Sequence, residues 1–114
     1  MEYAKLDENG VVKNIIVADD SYIDSLDDKE MYVKTFSDAN GEAEKFYNPA
    51  SLGGTYDKVN RAFISAAPFK SWVLNDKMIW EAPVKRVKAK DGFFVYWDEE
   101  QIKWVEEILE APYV

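Results

Sequence analysis

All four tryptophans of this chain fall after residue 70, at Trp72, Trp80, Trp97 and Trp104, inside two short β-patterned segments. The segments are Ser71-Trp-Val-Leu-Asn-Asp-Lys-Met-Ile-Trp80-Glu-Ala-Pro83 and Phe94-Val-Tyr-Trp-Asp-Glu-Glu-Gln-Ile-Lys-Trp104. Each reads as an aromatic strand, a polar turn at an Asx residue, and an aromatic strand returning. Rings placed across small hairpins are one way for a chain without cysteine to hold a β module together, because each ring removes a large apolar area from water. The same segments contain no arrangement of nucleophile and base.

The spacing extends into an imperfect repeat. Tyr56-Asp57 is followed by Phe63, six residues after the Asp, and Trp97-Asp98 by Trp104, again six after. Leu74-Asn75 leads to Trp80 in five, as though that turn had lost a residue. Asp and Asn side chains bond back to turn backbone and tolerate its unusual dihedrals. The ring on the return strand then covers its cross-strand neighbour, so the repeat is chiefly a structural device.

Upstream, residues 2–18 predict a first hairpin. Tyr3-Ala-Lys-Leu-Asp7 alternates, Glu8-Asn-Gly10 is turn chemistry, and Val11 to Ala18 is rich in β-branched residues. An Asn-Gly pair between two such runs is a strong hairpin signal, both residues accepting positive φ. Residues 19–30 carry an N-cap candidate at Asp20 or Ser21, with Ile23 and Leu26 three apart, which predicts a short helix near 20–28. Asp27 and Asp28 oppose the helix dipole and keep it short. Met31–Phe36 patterns as a strand. Residues 37–48 read as a polar loop anchored by Phe46 and Tyr47, and Asn48-Pro-Ala-Ser-Leu-Gly-Gly54 as the best internal boundary.

The expected fold is therefore mostly β: successive antiparallel aromatic hairpins in one twisted sheet or a small barrel or sandwich, with one short helix. Residues 1–110 are expected to form a single small β domain, with the N-terminal hairpin and helix in 1–48 and the hairpin repeats in 54–107. Residues 111–114 are a tail. Within that domain Trp72, Trp80 and Trp97 are expected in the core and Trp104 at a sheet margin, because large rings on display are costly.

Charge and composition narrow the function. With 14 basic against 22 acidic residues the formal charge is −8, which repels phosphate backbones and disfavours nucleic acid or anionic membranes as partners. The chain has neither cysteine nor histidine, removing thiol nucleophiles, disulfides, imidazole acid–base chemistry and the usual zinc and haem ligands. The N-terminus shows no signal-peptide pattern, and the apolar runs fall far short of the roughly 20 residues that span a bilayer. A soluble protein is expected.

Candidate sites are few. The acids Asp19, Asp20, Asp24, Asp27 and Asp28 lack the alternating ligands and central glycine of a calcium loop, and read as a solvated face. Asp98-Glu99-Glu100 is expected to point into water from a hairpin turn, unlike carboxylates that face each other across a glycosidase cleft. Gly53-Gly54 has no following Lys and Ser/Thr for a phosphate loop and is read as a turn. Lys85, Arg86, Lys88 and Lys90 form the one basic run, suited to an acidic partner, to this chain's own acidic half, or simply to solvent. Trp104, Lys85, Arg86 and Lys88 are the candidates for partner contact. No catalytic residue, cofactor or metal is expected.

The run Gly54-Thr-Tyr-Asp57, Ala62-Phe-Ile64, Pro68-Phe69, Ser71-Trp-Val-Leu74 and Trp80-Glu-Ala-Pro-Val84 is distinctive. With Tyr96-Trp-Asp-Glu99, Trp104-Val105 and the opening strands, it resembles a family of small proteins of tailed bacteriophages, notably phages of marine bacteria and cyanobacteria. The resemblance covers nearly everything outside residues 19–45. It departs from the family at Asn48–Gly54 and in the Trp72 hairpin, which is one residue shorter. It implies a non-enzymatic accessory or structural component of the virion, such as a decoration, tail or fibre-associated module. Copies on a symmetric particle would make a homo-oligomer. A phage-encoded protein that inhibits a host factor is the competing expectation, and glycan binding by exposed tryptophans a third.

Overall fold

The computed structural model describes residues 1–109, so the expected tail at 111–114 lies outside the described residues. The chain divides into two compact units, one of Met1–Ala66 with Leu74–Ile79, the other of Ala67–Val73 with Trp80 onward. Nine short strands and one helix make up most of the regular structure: β1 (Glu2–Leu6), β2 (Val12–Val17), α1 (Asp20–Asp24), β3 (Tyr32–Thr35), β4 (Thr55–Asp57), β5 (Ala62–Ile64), β6 (Val73–Leu74), β7 (Trp80–Glu81), β8 (Phe93–Asp98) and β9 (Lys103–Ile108). The fold is mostly β, built of antiparallel hairpins with one short helix. Its strands form four small sheets, ordered β2-β1-β3, β4-β5, β6-β7 and β8-β9. No helix among the described residues is long and apolar enough to cross a membrane.

Each hairpin is headed by an Asx side chain, and the four turns fall into two pairs. At the first, Asp7 Oδ1 accepts from the Asn9 and Val11 amides at 2.9 Å each. The Asp7 amide donates to the Val11 carbonyl, and the Gly10 amide to the Asp7 carbonyl. Asn75 repeats every one of these bonds: its Oδ1 accepts from the amides of Lys77 and Ile79, its own amide reaches the Ile79 carbonyl, and the Met78 amide returns to it. The left-handed residue of this pair sits third after the Asx, at Gly10 (φ 80°) and Met78 (φ 61°). The five-residue spacing from Asn75 to Trp80 is therefore the N-terminal turn type used again, not a turn that has lost a residue.

The second pair is one residue longer. Asp57 Oδ1 accepts from the Val59 and Asn60 amides, and Asp98 Oδ1 from the Gln101 amide. Here the left-handed residue is the fourth after the Asp: Arg61 (φ 54°) and Ile102 (φ 52°). Both turns close the same register, pairing Tyr56 with Phe63 and Trp97 with Trp104. In the first hairpin Asn9 does not share the positive φ expected of an Asn-Gly pair; Gly10 alone carries it, and the register shifts between Lys5 and Leu6 at a bulge.

The main core lies in the first unit and contains no tryptophan. Ala4, Leu6, Val12 and Phe63 are buried together, with Ile15, Val33, Phe46, Ala50 and Tyr56 packed against them. Phe63 is the largest of these four buried side chains, at 1% exposure. Its ring lies 4.9 Å from Tyr56 and 6.1 Å from Phe46, tilted or edge-on as ring quadrupoles favour. Phe46 reaches this position from the polar 37–48 loop because it and Tyr47 both adopt left-handed backbone, at φ 59° and 68°. Asn48 then fastens two hairpins at once, its Nδ2 donating to the carbonyls of Phe63 and Met78.

Two expectations need correction. The Asn48–Gly54 passage is no boundary: it belongs to the first unit, where Val12 exchanges backbone bonds with Gly53 and Gly54. Gly54 is buried, and a Cβ there would stand 2.7 Å from the Ile64 carbonyl, so the chain passes too close for a side chain. The β4–β5 hairpin accordingly groups with the N-terminal sheet rather than with the tryptophan hairpins. The helix also begins one residue early, with Asp19 as its N-cap and no side-chain cap bond. Asp20 is engaged elsewhere, accepting from the Tyr3 hydroxyl and pairing with Lys34. That bond to Asp20 pushes the Tyr3 phenol up to about 12.

Candidate functional site

The second unit is built on the β8–β9 ribbon. Its alternation sends Val95 and Trp97 to a buried face and leaves Phe94 and Tyr96 outside, each 38% exposed. Trp97 pairs across the ribbon with Trp104, their rings 5.2 Å apart. Trp72 completes a mutually edge-on triad, 6.0 Å from Trp97 and 6.2 Å from Trp104, with Phe69 behind it. Only Trp97 is fully buried; Trp72, Trp80 and Trp104 are half-buried, so the expected core role holds for one of three. A triad fed by two-residue and six-residue strands has too little chain to enclose every ring.

Glu99 sets the geometry of this cluster and corrects the sequence reading of its neighbourhood. Its carboxylate accepts from the Trp97 indole at 2.8 Å, the Ser71 hydroxyl at 2.7 Å and the Ser71 amide at 2.9 Å. It turns inward instead of toward water, and these donors hold its carboxyl below the usual range, the Trp97 bond foremost. The Trp72 indole N–H, by contrast, is buried with no hydrogen-bond partner among the described residues. Asp98 serves the turn, as expected.

Trp104 lies where ribbon and basic run meet. Its indole donates to the Val84 carbonyl at 2.8 Å, fixing the 82–90 connection to β9. The Arg86 guanidinium stands 5.5 Å from the Trp104 ring centre, within cation–π reach. Between them opens a cleft of about 390 Å³ lined by Glu81, Ala82, Val84, Lys85, Arg86 and Trp104. Val84 in its lining is 44% exposed, and Val87, further along the connection, 54%. Of the four basic residues of the run, Lys90 is paired, with Glu106 at 3.8 Å. Among the described residues Lys85, Arg86 and Lys88 have no ion-pair partner. The structure thus brings Trp104, Lys85 and Arg86 to one surface and leaves Lys88 further along the same exposed connection.

Other groups are occupied structurally. Asp7 lines a cleft of about 300 Å³ with Glu30, Tyr56 and Lys58, but its carboxylate caps the turn, and the Val11 amide draws its carboxyl down. In the acidic segment Asp28 pairs with Lys5 as Asp20 does with Lys34. No group of three or more acids among the described residues could hold a metal ion. Sequence reasoning found Phe46 as an anchor but missed Asn48 and Glu99 as organising residues. Only Glu99 offered a signal, its place two residues after a tryptophan on a return turn. No protein-family model, curated protein or solved structure matches the chain.

Proposed function

We propose that this chain is a non-enzymatic module that works by protein–protein contact, carried on the particle of a tailed bacteriophage as a decoration, tail or fibre-associated component. The observation that carries the contact reading is the cleft beside Trp104. Lys85 and Arg86, neither with an ion-pair partner among the described residues, line it with Glu81, the exposed Val84 and the Trp104 ring, and Lys88 follows on the same exposed connection, on a chain whose net charge is −8. Aromatic and Arg side chains flanked by apolar surface are what protein interfaces use as anchors. The carboxylates of Asp7, Glu99 and Asp28 are engaged by a turn, by Ser71 and by Lys5 respectively. The phage setting rests on the resemblance of the Tyr-Asp, Trp-Glu-Ala-Pro and Trp-Asp-Glu segments.

Mass spectrometry of purified particles tests the setting. The chain should be present at a fixed ratio to the major particle proteins, and K85E/R86E should lower that ratio without changing the far-UV circular dichroism of the free protein. Absence from particles together with abundance in infected cytoplasm would replace this reading with a host-directed inhibitor. Strong acrylamide quenching of Trp104 relieved by an oligosaccharide would replace it with glycan binding.

A further inference from the structure

The cleft has a complement on the chain itself. Residues 19–30 hold six acids and a single lysine, and Asp19, Asp24 and Asp27 have no ion-pair partner among the described residues. Between Asp20 and Asp24, on α1, Tyr22 stands 55% exposed, while Ile23 beside it is buried and holds the helix to its unit. An exposed phenol on a segment whose Asp19, Asp24 and Asp27 lack ion-pair partners among the described residues is the inverse of a cleft lined by Trp104, Val84 and the likewise unpaired Lys85 and Arg86. We infer that the Trp104 cleft of one copy receives the Tyr22 face of α1 from a second copy, with Asp24 and Asp27 set against Lys85, Arg86 and Lys88.

The contact joins two different surfaces, so it is head-to-tail, and a pair of copies keeps one free cleft and one free α1 face. Repetition gives a closed ring or an open row of copies. The charges set orientation and encounter rate and exclude pairing of like surfaces, while the rings and valines supply the buried area. Tyr22 offers a phenol edge to the Trp104 face and a hydroxyl to the cleft's polar rim. This inference rests on reading the cleft as a contact surface; it adds the occupant.

The test exploits the two-surface geometry. In sedimentation velocity at about 50 mM salt the wild-type chain should form species larger than a dimer as concentration rises. Raising salt to about 500 mM should weaken that association by about tenfold or more, since rim pairs are screened within a few ångströms there. A cleft variant, K85E/R86E/K88E, and a helix variant, Y22A/D24K/D27K, should each be monomeric alone. Mixed in equal amounts, they retain one intact surface apiece and should yield a two-chain species and nothing larger. Circular dichroism of each variant checks that it is folded, and a synthetic peptide of residues 19–28 should compete for the wild-type cleft, at least about tenfold more weakly for K85E/R86E. A wild-type chain monomeric at every concentration, or a mixture that stays monomeric, overturns the inference. Particle incorporation that still depends on Lys85 and Arg86 in that event would leave the contact reading standing with a different partner.

Discussion

At the scale of single residues, two side chains work against local preference and can be read as energies. Ile102 is β-branched and 42% exposed, yet holds φ 52°, a conformation that crowds its Cβ against the backbone. Replacing it with Asn, which tolerates left-handed backbone, should raise stability by about 1 kcal/mol in urea unfolding, little buried area being forfeited. Glu99 titrates in the other sense. Its folded carboxyl lies below the ordinary 4.5, so its bonds to Trp97 and Ser71 contribute fully above that value and are lost as pH falls through the folded one. Trp97 emission should therefore shift in an acid titration with a midpoint below 4.5, and E99Q should abolish that step. A midpoint at or above the free value would contradict the inward placement of this group.

At the scale of the hairpin, an oxygen on an Asx side chain does the organising, and its charge is incidental. Asn75 makes the same bonds as Asp7 with an amide. Asp7→Asn should then stay within about 0.5 kcal/mol of wild type, losing only an exposed pair with Lys13, whereas Asp7→Ala should cost about 1–2 kcal/mol. Chemical denaturation of the two variants side by side separates them. This is also why hairpins were the most legible part of the chain. Asx residues followed by a fixed interval to a large side chain announce turn and register together, because both are local. Helix α1 was legible but slipped by one residue, since Asp19, Asp20 and Ser21 can all cap and only tertiary bonds from Tyr3 and Lys34 decide. Phe46 was recognised as an anchor, but its destination against Phe63 depends on two left-handed residues in succession, which no local pattern signals. For the candidate site, the basic run and Trp104 were visible as residues, while their meeting depends on one indole bond to the Val84 carbonyl across 20 positions.

For the whole molecule, aromatic count misleads about where stability resides. Tryptophans all belong to the second unit, while the most enclosed cluster is the aliphatic and phenyl core of the first. Phe63→Ala should lose about 3–5 kcal/mol, a large share of the roughly 5–15 that holds a domain this size. Far-UV circular dichroism during urea unfolding would show it; a loss under about 1 kcal/mol would mean that Phe63 is not the centre of that core. Indole fluorescence reports on the second unit, so it should be followed separately.

Strand β1 lies between β2 and β3, so the first of these three strands in chain order is the middle one of its sheet. On the ribosome that segment waits with one flank open until Thr35, its last partner, has left the exit tunnel. Deleting residues 1–6 would remove Tyr3, Ala4 and Leu6 and leave β2 and β3 with nothing to join them, so the loss should open the sheet through its middle instead of trimming an edge, and translation pauses before Thr35 emerges should raise misassembly more than pauses after it.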